Sequence, residues 1–294
     1  MVDRDTVFAQ LIDLAPVGPG RFVGSPSPEP RGRTFGGHFL AQSLAAAQLA
    51  GVADRVVHSL HAYFVRAGDV DEPTTYDVAA MRDGRSFALR SVTASQQGEL
   101  VFQLTASFHS PEAGFDYQPG QRFGVRSLIE SVPPPNESMM TYTQFTYQHP
   151  HTEPGSWDGD KRPIEILYIN PPSEAEGVAV VEPQLMWLRL SGAVPEDPAA
   201  HTAGLAYLSD STLIDHVMLP HGYRWQDRRL TGTSLDHAMW FHRPARVDQW
   251  LLFDQRVELT GGARGLVAGR LYSSDGTLVA TCYQEGLMRW DAMG

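Results

Sequence analysis

Ser234, Asp236 and His237 stand within four positions of one another in TGTSLDHAMWFHRP (residues 231–244), and His242 and Arg243 follow. Their types are those of a serine-hydrolase triad. A triad, however, needs its base within ~2.6–3.2 Å of the nucleophile. The stretch has strand character, and side chains on a strand alternate between faces. Ser234, Asp236 and Ala238 are then expected on one face, with Leu235, His237 and Met239 on the other. Asp236 and His237 face apart, so the triad does not hold as a unit. No G-x-S-x-G elbow occurs in the chain, which excludes the α/β-hydrolase arrangement.

A different polar set emerges from the elements that must position these residues. GGHFLAQSLAAAQLA (36–50) predicts a helix, followed by strand-like runs at 56–66, 74–82, 86–95 and 99–109 joined by tight turns at Asp83-Gly84 and Gln97-Gly98. The same order recurs later. HTAGLAYLSDSTLIDHVML (201–219) reads as a helix, and strands are expected at 233–243, 250–260, 265–274 and 277–290. EILYIN (165–170) and PQLMWLRLSG (183–192) are expected to open the second sheet, after a Pro- and Gly-rich linker. One helix with an antiparallel meander, present twice, is an α+β architecture.

Comparing the copies marks three residues. Ser234 corresponds to Val57, Gln284 to Ala106, and aligning Gly37 with Gly204 sets Ser43 opposite Asp210 in the middle of its helix. A buried unpaired hydroxyl or amide costs ~1–3 kcal/mol, so polar groups kept in one copy only point to use. Taken singly, each has a plainer reading. Asp210 suits a turn or a solvated helix face, Ser234 a satisfied strand hydroxyl, and Gln284 a surface amide. Asp236, His237 and His242 read as structural, and His38 follows Gly36-Gly37 without an evident carboxylate partner.

The composition limits the remaining classes. The 294 residues carry 42% hydrophobic and 19% charged side chains, as a folded domain should. A formal net charge of −11 argues against nucleic acid as a partner. No apolar run approaches the ~20 residues of a membrane span, and the N-terminus lacks the order of a signal peptide. Cys282 is the only cysteine, so no internal disulfide or cysteine-rich zinc site is expected, and a cytoplasmic location follows. His216 and His221 have metal-ligand spacing, but Pro220 breaks their shared face, so no metal is expected.

FGGHFLAQSL, VHSLHAYFVRAGD, LAYLSDSTL, SLDHAMWFHRP and TLVATCYQEGLMR together resemble the acyl-CoA thioesterase II family of TesB type, from about residue 34 to 290. The resemblance implies a double hotdog fold: one module over 1–112, a linker over 113–162 and a second module over 163–294 carrying the site. It also implies hydrolysis of acyl-CoA to fatty acid and coenzyme A, with no cofactor. The family's catalytic Asp, Thr or Ser, and Gln fall on Asp210, Ser234 and Gln284, with Ser234 standing where bacterial relatives commonly carry Thr. A homodimer or higher homo-oligomer is the expected assembly. Arg82, Arg85, Arg243 and Arg264 are candidates for the coenzyme A phosphates. Two alternatives share the fold. One is a non-catalytic acyl-CoA-binding or regulatory protein, the other a hydratase or dehydratase, whose D-x-N-P-I-H-like segment is absent here.

Overall fold

The computed structural model describes residues 7–27, 32–51, 54–118, 128–148, 162–173, 175–225 and 227–291. The first half contains α1 (Val7–Ile12), β1 (Ala15–Gly18), β2 (Arg21–Gly24), α2 (Gly36–Leu49), β3 (Val56–Phe64), β4 (Thr74–Asp83), β5 (Phe87–Gln96) and β6 (Glu99–His109). Two short helices follow, α3 (Leu128–Ser131) and α4 (Tyr142–Gln148). The second half contains β7 (Ile164–Tyr168), β8 (Gln184–Leu190), α5 (Pro198–Ser209), β9 (Leu230–Ser234), β10 (Asp236–Phe241), β11 (Leu251–Gly261), β12 (Arg264–Ser273) and β13 (Leu278–Trp290). Of the expected linker, residues 119–127 and 149–161 lie outside the described residues.

All the strands join one antiparallel sheet, and its centre is the pairing of β3 with β10, where His61 stands opposite Ala238. Outward from that seam the order is β3-β6-β5-β4-β2-β1 on one side and β10-β13-β12-β11-β8-β7 on the other. Every strand but β9 thus has a counterpart across a local two-fold, as a duplicated module requires. The strands read as the sequence predicts. β5 alternates buried and partly exposed residues along its length. Gln97 and Gly98 between β5 and β6 both have positive φ, 49° and 83°, the conformation of a two-residue hairpin turn.

The two long helices lie inside the curve of the sheet, one from each half. α2 is buried nearly all round, and its alanine-rich sequence lets a strong helix former sit in a core without bulk. It runs antiparallel to α5. Gly37 abuts the Tyr207 carbonyl at one end, and the Gln48 amide reaches the Ala199 carbonyl at 3.5 Å at the other.

Three expectations need correction. The helix read over 201–219 is α5, which ends at Ser209. The Ser209 and Ser211 hydroxyls bond back to the carbonyls of Ala206 (2.9 Å) and Leu208 (2.7 Å), and 3-10 turns at Ile214–His216 and Leu219–His221 follow. Asp210 therefore caps the helix end rather than lying mid-helix, whereas Ser43 lies within α2, so the two are not structural equivalents. The strand read over 233–243 is broken at Leu235, with β9 and β10 on either side. Finally, α1, β1 and β2 went unread, because APVG and RFVG are too short and too rich in glycine and proline to carry a strand signal.

Candidate active site

The break at Leu235 decides which side chains face inward. Ser234 pairs with Gly286, whereas Ala238 pairs with Tyr283, so β9–β10 spends one residue more than β13 over the same span. Such a bulge reverses the alternation beyond it. Ser234 shares a face with Gln284 and points into the core, as do His237 and Met239. Asp236 stands opposite Tyr63 on the outer face, which corrects the expectation that Ser234 and Asp236 share a side. The first half has the same irregularity at the equivalent place, between Val57 and Ser59. There the inward pair is Val57 opposite Phe108, where the second half has Ser234 opposite Gly286.

Asp210, Ser234 and Gln284 come together. The Gln284 amide nitrogen donates to Asp210 Oδ1 at 2.5 Å and to Ser234 Oγ at 3.0 Å, and its buried carbonyl oxygen has no hydrogen-bond partner among the described residues. Asp210 is 7% exposed, and burial pushes its carboxyl up to about 7. The Gln284 amide, the Arg162 guanidinium and the Gly37 backbone N–H each oppose that rise. The outcome is a carboxylate poised to exchange a proton near neutral pH.

The sequence suggests a backbone N–H donor near a helix N-terminus without saying which, and the structure brings the N-terminus of α2 to Asp210. Its first residues, Gly36-Gly37, face Asp210 so closely that a Cβ on Gly36 would lie 2.6 Å from Asp210 Oδ2. The helix has no side-chain cap, so its leading N–H groups and positive dipole end point into the site. At the far end of the helix pair the arrangement is the reverse. There Asp197 caps α5 by accepting from the Ala199 N–H at 3.0 Å, with Pro198 in the first turn. Only one end of the pair is left open for an anion. A search by residue type cannot find backbone donors, though a glycine pair at a helix start is a legible hint.

The histidines take supporting positions. His237 is fully buried, its Nε2 2.9 Å from Ser209 Oγ, and burial lowers its pKa to about 3, so it is neutral and braces the end of α5. His38 lies 3.2 Å from the Ser25 carbonyl and His242 2.9 Å from Thr281 Oγ1. Asp236 accepts the Glu285 backbone N–H at 2.8 Å, which ties down the bulge.

Residues 211–225 and 227–229, which follow Asp210, have no counterpart between α2 and β3 and lie as a strap over the second sheet. Ser234, Gly286 and Gly265 form a row of small residues across β9, β13 and β12. The strap seats Ile214 on Gly286, Val217 on Gly265 and Trp225 on Gly232. Glycines inside strands signal such close approach. A methyl at Gly265 would lie 2.8 Å from Val217 Cβ, an atom fixed to its backbone. Gly265→Ala is therefore expected to destabilise the fold by about 1–3 kcal/mol, read as a lowered denaturation midpoint.

Beside Asp210 and Ser234 opens a cavity of about 800 Å³, lined by residues of both halves and of the strap. Phe35, Phe39, Phe64, Ile214 and Trp225 give it apolar walls. None of Arg82, Arg85, Arg243 and Arg264 lines it. Arg243 and Arg264 are bonded to Asp116 (2.5 Å) and Glu285 (3.0 Å), away from the cavity. The arginines on its walls are Arg33, Arg66, Arg162 and Arg228.

Two helix-and-meander modules sharing one sheet, each with its helix inside the curve, make a double hotdog fold. Comparison with known proteins narrows the class. Residues 159–287 match the acyl-CoA thioesterase profile and residues 25–109 that of the acyl-CoA thioesterase N-terminal domain. Human acyl-coenzyme A thioesterase 8 is 36% identical over 295 residues, covering 97% of this chain and 90% of its own. Acyl-CoA thioesterase 2 of Haemophilus influenzae is 34% identical, covering 88% of each chain. The crystal structure of acyl-CoA thioesterase II TesB2 from Mycobacterium marinum superposes with a TM-score of 0.76 at 32% identity, covering 98% of this chain and 99% of that one. The chain belongs to the acyl-CoA thioesterase family.

Proposed function

We propose that this protein hydrolyses acyl-CoA thioesters with a directly attacking water, using Asp210 as base and Ser234 and Gln284 to hold that water. The observation that carries the reading is the hydrogen-bonded run from Asp210 through Gln284 to Ser234, at the floor of a cavity that the α2 N-terminus enters. Asp210 accepts a proton from the water as its oxygen bonds to the thioester carbonyl carbon. Negative charge builds on the carbonyl oxygen, and the N–H groups at the start of α2 are placed to stabilise it. The C–S bond then breaks, the acid leaves with the water oxygen, and the thiolate of coenzyme A takes the proton from Asp210. A thioester carbonyl is electrophilic enough that a carboxylate can serve without an imidazole.

Released thiol from a panel of acyl-CoA substrates, read with a chromogenic disulfide, tests the proposal. Coenzyme A binding with no thiol release from any member would favour the non-catalytic alternative instead. His38, the histidine nearest to the hydratase pattern, has its Nε2 3.2 Å from the Ser25 backbone carbonyl.

Two expected results belong to this mechanism. With Asp210 at about 7, kcat/KM should fall tenfold per pH unit on the acid side of that value and level off above it, because only the ionised carboxylate accepts the proton. A flat profile between pH 5 and 8 would exclude Asp210 as the base. Ser234→Ala should lower kcat about 10- to 100-fold, while Ser234→Thr, which keeps the hydroxyl, should restore most of it. Equal losses in both variants would assign Ser234 a packing role.

The same proposal takes 1–112 and 163–294 as the two modules, 113–162 as their linker, and the cytoplasm as the place of action. It also includes assembly into a homodimer or larger homo-oligomer. Support comes from an aromatic patch on the outer face at the seam, where Tyr63 is 62% exposed and Trp240 lies 5.3 Å from His61 and 6.2 Å from Tyr283 between ring centroids. Light scattering of the purified protein reads the mass directly.

A further inference from the structure

We infer that Arg33, Arg66 and Arg228 form a phosphate-binding collar at the mouth of the cavity, which selects thioesters carrying the nucleotide end of coenzyme A. The inference rests on the proposed hydrolysis, and it concerns how the carrier end of the substrate is held rather than the bond that breaks.

The collar draws on both halves of the chain. Arg33 and Arg66 belong to two segments of the first half held together by the Thr34 N–H donating to the Gly68 carbonyl at 3.0 Å. Arg228 stands on the strap of the second half. All three are exposed and line the cavity, whereas Asp210, which lines it too, is buried. A ligand whose thioester reaches Asp210 shares its cavity with these guanidinium groups.

These charges are available to a ligand. Arg33 and Arg228 have no side-chain hydrogen bond or ion pair among the described residues. Arg66 donates to the Leu100 carbonyl at 2.8 Å and meets Glu99 only at 3.6 Å in solvent, where an ion pair contributes little. The carboxylates of the cavity are already engaged. Asp227 is bonded by Arg229, Asp215 by the Tyr142 hydroxyl and Asp210 by Gln284. In a chain with 34 acidic against 23 basic residues, the mouth is thus a local cationic zone on an acidic molecule. Guanidinium forks match phosphate oxygens, and a local positive field also speeds capture of a polyanion. A bare acyl or pantetheine group would use none of this.

The test compares one acyl group on two carriers. The wild-type preference in kcat/KM for the acyl-CoA over the same acyl-N-acetylcysteamine thioester, which lacks phosphates, is measured first. It is expected to shrink roughly 10-fold or more in Arg33→Ala/Arg228→Ala, and further in Arg33→Glu/Arg228→Glu. Arg21→Ala, which removes a surface ion pair with Asp77 away from the cavity, should leave the preference as it is. Raised salt should erode the preference of the wild-type protein and not that of the double variant. Calorimetric binding of free coenzyme A, which needs no turnover, should weaken in parallel. An unchanged preference, or equal loss on both carriers, overturns the collar. If no thioester is turned over but coenzyme A binding still depends on these arginines, the hydrolytic reading fails and the collar stands.

Discussion

Asp210→Asn is expected to lower kcat about 10³-fold or more and, at the same time, to make the protein more resistant to unfolding at pH 8. The first effect removes the proton acceptor. The second follows from the environment that made Asp210 useful. Burial raises its folded value to about 7 from an ordinary 3.8. Between those values the folded chain keeps a proton that the unfolded chain has released, so this group's contribution to stability declines as pH rises through the window and is constant above it. The cost at pH 8 is on the order of 4 kcal/mol. Asparagine keeps an oxygen for the Gln284 amide and cannot ionise. The gain in melting temperature over wild type should therefore be several degrees at pH 8 and vanish near pH 4. A variant that is inactive and also less stable at pH 8 would mean that Asp210 is a structural carboxylate.

Gly36→Ala should be the second severe change, and it adds only one methyl group. The new Cβ would lie 2.6 Å from Asp210 Oδ2 and 2.6 Å from Phe64 Cε1. Asp210 is held by Gln284 and cannot retreat without breaking that bond. A displacement of about 1 Å at a reacting group can cost on the order of 100-fold in rate, and a loss of that size is expected with little change in circular dichroism. Gly37→Ala separates the two possible reasons for such a loss. Its Cβ would meet the Tyr207 backbone carbonyl at 2.6 Å, so it should disrupt helix packing and lower the melting temperature. Comparable melting losses in both variants would argue that Gly36, too, serves only packing.

Much of this was legible in the sequence because it depends on side-chain period and turn chemistry. The repeated meander and the α2 helix are written in alternation and in alanine-rich composition. Ser234 and Gln284 emerge from comparing the two copies, whereas Asp210 is marked by a pairing with Ser43 that the structure does not keep. What escaped has a common physical character. The bulge at Leu235 is one extra backbone residue, and LDHAMWF reads the same with or without it. The end of α5 depends on serine hydroxyls competing for helix carbonyls, a balance that S-D-S-T leaves open. The α2 terminus acts through N–H groups that every residue but proline owns. The cavity arginines are chosen by the path of the strap, which no local pattern encodes, so the sequence candidates Arg243 and Arg264 turned out to be engaged elsewhere.

The seam between β3 and β10, where His61 meets Ala238, has a historical consequence. Two identical modules related by that axis would hold two equivalent pockets, and every inherited substitution would fall on both. Covalent fusion lets selection act on each copy alone. One copy could then give up its helix cap while the other acquired the acid. At the opposite end Asp197 caps α5, and Phe8 and Leu11 of α1 are buried in the core. Division of labour between once-equal halves is what the join at this axis made possible.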